Sequence, residues 1–177
     1  MPRNGDKIYH EQKLEVVVYD QDVNQRTVEN VHIQGEALTR ERVSVFKNKP
    51  CAILVNGNLK GYCRTVLDQE SLHYFLQNLS KVKDDLNRSY IWRTLWDNLK
   101  IKVLTGEQFL QCVLDHFLPE TEEYTMPVII QTIQVILKYH LSDRPDLKTF
   151  YQNSLLALFK AKLATHCPTK SMEVLLL

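Results

Sequence analysis

Up to residue 67 the apolar positions recur every second residue, and from Asp68 onward they recur every three or four. In KLEVVVYD, Leu14, Val16 and Val18 fall on one side of an extended chain, with Glu15, Val17 and Tyr19 on the other. The polar DQDVNQ follows, then TVENVHI, a second β-branched run. RVSVF alternates Val43 and Val45 inward, and KNKP makes the next break. CAILVN and YCRTVL, joined by GNLKG, read as a hairpin whose two glycines suit positive φ, with Cys63 opposite Val55 rather than Cys51. About five short strands with regular turn signals predict an antiparallel β-sandwich over residues 1–67.

Helical periodicity then takes over. Asp68 is placed to cap a helix carrying the stripe Leu72, Phe75, Leu76 and Leu79. Asp84 or Asp85 caps a second, with Leu86, Tyr90, Ile91, Trp92, Leu95, Trp96 and Leu99. Thr105 and Gln108 form a capping box ahead of Phe109, Leu110, Val113, Leu114 and Phe117. Thr125 opens a fourth helix with Pro127 in its first turn, and a fifth follows SDRP. Short connections between them predict antiparallel pairs stacked as an α-solenoid over residues 68–165, with 166–177 as a tail. The predicted class is α+β with the two kinds of element segregated. The last helices are apolar on more than one side. Ile129, Ile133, Ile136, Leu155 and Phe159 are therefore expected to form a surface covered by another protein.

Composition narrows the function classes. A formal net charge of +1 without a basic block gives no support for a nucleic-acid or anionic-membrane partner. No apolar run has the roughly 20 residues of a membrane span. MPRNGDKIYH is too polar to be the core of a secretory signal, so a cytoplasmic or other intracellular protein is expected. Cys51, Cys63, Cys112 and Cys167 lack metal-ligand spacing and read as reduced, mostly buried thiols.

HEQKL, residues 10–14, begins like the zinc-peptidase signature H-E-x-x-H, but Leu14 stands where the second His is required. On a strand, His10 and Glu11 would point to opposite faces and could not share a metal. The acidic pairs at 84–85 and 122–123 read as helix-start or solvated carboxylates. Trp92 and Trp96, one turn apart, read as core packing sooner than as a sugar or peptide platform. Arg64 is left open between an ion pair at the sheet–helix junction and simple solvation. No catalytic set can be assembled from local spacing.

Two motifs in sequence order resemble the junction between β-sandwich and C-terminal helical domain in the aminopeptidase N family of zinc aminopeptidases. The first has a strand ending in Asn56, then Gly61, Tyr62, Arg64 and Val66, with Asp68 following. The second is the helix motif Asp84, Leu86, Arg88, Trp92, Trp96 and Asp97. The resemblance spans roughly residues 12–140. It implies that zinc, the motif for the substrate's α-amino group and the supporting tyrosine belong to an absent upstream domain. No catalytic residue, metal ligand or cofactor is therefore expected in this chain.

Three readings follow from the resemblance and the pattern together. The chain is a non-catalytic C-terminal fragment of an intracellular zinc aminopeptidase, closing over the peptide chamber or docking to the catalytic domain. Alternatively it is a pseudoenzyme remnant serving as a structural subunit of a larger assembly, or an unrelated sandwich-plus-helices binding module. A protein partner is expected in each. Purified alone, the chain should bind no stoichiometric zinc and release no arylamine from aminoacyl-arylamides. One zinc per chain surviving mild chelation would contradict this.

Overall fold

The computed structural model describes residues 12–33, 49–57 and 59–165, with side chains from 27 to 33 left aside. Three strands, β1 (Gln12–Tyr19), β2 (Gln25–Ile33) and β3 (Ala52–Val55), form one antiparallel sheet in the order β2–β1–β3. Five α-helices follow: α1 (Gln69–Asn78), α2 (Asp85–Lys100), α3 (Gly106–His116), α4 (Met126–Val135) and α5 (Pro145–Thr165). A 3₁₀ turn, Leu79–Lys81, continues α1, and a π-helical turn, Ile136–His140, continues α4.

The fold is therefore α+β, with the described strands in a single sheet. The stretch RVSVF lies outside the described residues. As the central strand, β1 is buried on both faces: Val16, Val17, Val18 and Tyr19 are all in the interior. Strict two-sided alternation does not hold there, and a register shift between Val16 and Val17 breaks the β1–β2 ladder. The β1–β2 turn is tied by Asp20, whose carboxylate accepts from the N–H groups of Asp22 (2.9 Å) and Asn24 (3.0 Å).

The hairpin expected between residues 51–56 and 62–67 does not form. Side chains have taken the outer edge of β3: the Ile53 N–H donates to Ser71 Oγ (3.0 Å) and the Val55 carbonyl accepts from Thr65 Oγ1 (3.2 Å). Residues 62–68 belong to no strand, and Asn98 of α2 supplies what a neighbouring strand would have. Its Oδ1 accepts from the Leu67 N–H (3.0 Å) and its Nδ2 donates to the Thr65 carbonyl (2.9 Å). Cys63 is exposed, not set against Val55. Nor do the glycines supply the positive φ; Asn56 (66°) and Leu59 (55°) do. A Cβ on Gly57 would overlap the Val17 side chain, and one on Gly61 the Leu14 side chain.

The helix starts follow local chemistry. Asp68 accepts from the Ser71 N–H (2.9 Å) and hydroxyl (2.6 Å). Asp84, not Asp85, caps α2 by accepting from the Asn87 N–H (2.7 Å). Thr105 and Gln108 complete a reciprocal capping box on α3. At α4, Thr125 precedes the helix without a side-chain cap, and Pro127 sits in the first turn. One apolar cluster runs without interruption from Val17, Tyr19 and Leu54 of the sheet through Phe75, Ile91, Leu95 and Phe109 to Leu155 of α5. Tyr19 meets Phe75 edge to face at 5.3 Å between ring centroids, so sheet and helices share one interior.

Burial alone would raise the Asp68 carboxyl, but the hydrogen bonds from Ser71 outweigh it and hold the group below the ordinary carboxylate range. A depressed folded-state pKa adds stability above the unfolded value and loses it as pH falls through the folded value. Asp68→Ala should thus cost about 1 kcal/mol near neutral pH, shrinking in acid. Urea unfolding at both pH values checks this; a pH-independent cost would contradict it.

Candidate docking surface at the sheet–helix junction

The helical motif is organised around an acid that its own spacing does not reveal. Arg88 and Trp92 lie one turn apart on α2, and both reach Glu120 in the connection after α3. Arg88 donates from Nε (3.0 Å) and Nη2 (2.9 Å), and Trp92 from Nε1 (3.1 Å). The N–H groups of Thr121 and Glu122, each at 3.0 Å, complete the acceptor's shell. Arg88 also bonds the Val82 carbonyl (2.9 Å) and Asp85 (2.7 Å). Glu120 is 2% exposed and Trp92 1%. The bond to Glu120, stronger than the opposing effect of burial, raises the guanidinium pKa further. From α5, the fully buried Lys162 ammonium bonds the carbonyls of Leu118 (2.7 Å) and Glu120 and lies over the Phe117 ring. These contacts fix the α3–α4 connection against α2 and α5.

The junction motif is built differently, with pinned backbone and outward side chains. The buried Asn56 grips Gly61 at both polar groups: Nδ2 donates to its carbonyl (2.8 Å) and Oδ1 accepts from its N–H (2.9 Å). Gln12 of β1 does the same for Tyr62, accepting from its N–H (2.6 Å) and donating to its carbonyl (3.1 Å). Beyond it, Thr65 bonds the Tyr90 hydroxyl (2.9 Å) and Asn98 takes the backbone. The Tyr62 side chain is nevertheless 96% exposed.

A groove of about 700 Å³ opens between this segment, the outer face of α2 and the start of α4. Its chemistry comes from Tyr62, Arg64, Arg93, Asp97, Lys100 and Tyr124. Asp97 pairs with Lys100, whose ammonium also lies 5.1 Å over the half-buried Trp96 ring. Arg64 is solvated: neither it nor Arg93 has an ion pair or hydrogen bond through its side chain among the described residues. Tyr124 is 88% exposed. Cys63 also lines the groove, and partial burial raises its thiol pKa.

The other expected surface lies inside. Ile129, Ile133 and Ile136, together with Leu155, are in the chain's own core, and the half-buried Phe159 meets Phe117 edge to face at 5.6 Å. The apolar arcs of α4 and α5 pack against α2 and α3, respectively, with Phe150 and Leu156 left exposed on α5. Among the described residues, no three His, Cys, Asp or Glu side chains converge to offer zinc a donor set. His10 and Glu11 lie outside the described residues, and no chemical step is assigned through a metal. No helix among the described residues is long and apolar enough to cross a membrane.

A family model described as the ERAP1-like C-terminal domain matches residues 52–172, from the first residue of β3 through all five helices. The chain belongs to that family. This agrees with the resemblance of the two motifs to the C-terminal part of the zinc aminopeptidases. No match was found among the curated proteins.

The residues that sequence reasoning passed over are Glu120, Lys162 and Asn98 in the ERAP1-like domain, and Gln12 ahead of it. Only the first left a signal. Arg88 shares a helix face with Trp92, and an arginine on a buried face requires a buried acceptor. Removing one partner of such a pair leaves an uncompensated charge, so Glu120→Ala should cost about 3–5 kcal/mol. The double replacement Arg88→Met with Glu120→Leu should cost less. Chemical denaturation of the full chain measures both, and a loss under about 1 kcal/mol for the single variant would show the pair to be dispensable.

Proposed function

We propose that the chain is the non-catalytic C-terminal part of an aminopeptidase-family protein, docking through its sheet–helix junction to a catalytic domain and helping to close the peptide chamber. The observation that carries this is the contrast at Tyr62 and Arg64. Gln12 holds the Tyr62 backbone, and Asn56 and Asn98 hold the flanking backbone at Gly61, Thr65 and Leu67, yet Tyr62 and Arg64 line an open groove. Holding a segment this firmly while leaving its large side chains unsatisfied adds nothing to folding. It lowers the entropy lost when a partner packs there. In this reading the three strands belong to a β-sandwich of about five, and α1 to α5 open a solenoid that curves over the chamber. The three described cysteines are free thiols, in keeping with an intracellular, reducing compartment.

A second reading, a pseudoenzyme remnant retained as a subunit of a larger assembly, draws on a different observation. The core-facing sides of α4 and α5 are already covered within the chain, while Phe150 and Leu156 stay exposed on the outer face of α5. Affinity capture of the endogenous protein, followed by native mass spectrometry, separates the two. The first predicts a catalytic domain carrying H-E-x-x-H, either continuous with this chain or bound one to one. A fixed-stoichiometry assembly with no such domain would favour the second and contradict the first.

A further inference from the structure

The docking reading gives the junction groove a location but no ligand chemistry, and its side chains supply one. Arg64 and Arg93 line the same groove from different elements, the extended segment and α2, and neither guanidinium is neutralised by a described residue. Among the described residues, the one carboxylate lining the groove, Asp97, is paired with Lys100, so the uncompensated charge they place there is positive. Guanidinium groups bind carboxylates through paired, charge-assisted hydrogen bonds. Tyr62 and Tyr124, 96% and 88% exposed, border these cations. Exposed Tyr and Arg together are the residue types enriched where protein segments are recognised.

Tyr62, Cys63 and Arg64 are exposed in succession on a segment that belongs to no strand or helix, and all three line the groove. An extended partner laid along the groove would meet its arginines and its tyrosines together. We propose that the groove binds an extended acidic segment of a partner protein, its carboxylates on Arg64 and Arg93 and its intervening side chains on Tyr62 and Tyr124. Nucleic acid fits less well, because the chain has a formal charge of only +1 and lacks a basic stripe. The inference rests on the docking reading only for the choice of surface.

The test uses the full chain and a fluorescein-labelled peptide of alternating glutamate and valine, with glutamine-for-glutamate and lysine-for-glutamate versions, read by fluorescence anisotropy. Only the glutamate peptide should bind, more weakly as salt rises. Arg64→Glu and Arg93→Glu should each weaken it by about tenfold or more, the scale of one charge-assisted contact. Lys160→Glu, on exposed α5 surface, should leave binding unchanged. Equal binding of the glutamine peptide, or no loss in either arginine variant, overturns the proposal. So does tighter binding of a single-stranded oligonucleotide, or dimerisation of the chain that Arg64→Glu abolishes, which would give the groove to a second copy. Failure here with a catalytic domain still captured rejects the acidic ligand alone. Peptide binding without such a domain rejects the family-partner reading and leaves the groove's chemistry standing.

Discussion

Glu120 is the fixed point of the helical half. A carboxylate 2% exposed needs its charge and its lone pairs answered from inside the protein, and here they are answered from two directions. Arg88 and Trp92 approach from α2, and the N–H groups of Thr121 and Glu122 close in from its own chain. Lys162 of α5 holds the carbonyl of the same residue. The arrangement is demanding because its parts are interdependent. Without the acid, Arg88 keeps only the Val82 carbonyl and the more exposed Asp85, and the Trp92 N–H loses its acceptor. A well-packed apolar replacement could be equally stable, so the network's contribution is better understood as registration: α2, α5 and the α3–α4 connection can meet in only one way.

That registration reaches the junction through α2. Arg88 and Trp92 face Glu120, Asn98 at the far end of the same helix holds the backbone of Thr65 and Leu67, and Arg93 and Asp97 look outward into the groove. One rigid helix thus sets the distance between an internal lock and an external surface. At the other side of the groove, Asn56 and Gln12 use their amide groups in place of a strand partner. A segment that could have been an edge strand becomes a fixed platform with free side chains.

The features legible in the sequence are those governed by near neighbours. The change of period at Asp68 and the caps at Asp68, Asp84 and Thr105 depend on groups three residues apart, and the structure forms them. Strands β1, β2 and β3 follow from β-branched runs. What could not be read depended on distant side chains. The expected hairpin has the right composition, but Ser71, Thr65 and Asn98 occupy the polar groups it needed, and nothing in GNLKG announces them. The apolar arcs of α4 and α5 were visible, but periodicity does not say whether a face meets its own chain or another. Of the groove, Tyr62, Arg64 and Asp97 were legible through the resemblance. Arg93 and Tyr124 joined them only once α2 and α4 were in place.

An internally locked helical array thus meets an outward-facing junction in this member of the ERAP1-like C-terminal domain family. The proposed partner makes its contact at the junction and not on the helical flank. Hydrogen–deuterium exchange of the endogenous complex, compared with the free chain, tests this most directly. Added protection at residues 59–66 and at the start of α4, with α5 unchanged, is the predicted result. Protection confined to the outer face of α5, around Phe150 and Leu156, with none at the junction, would contradict it.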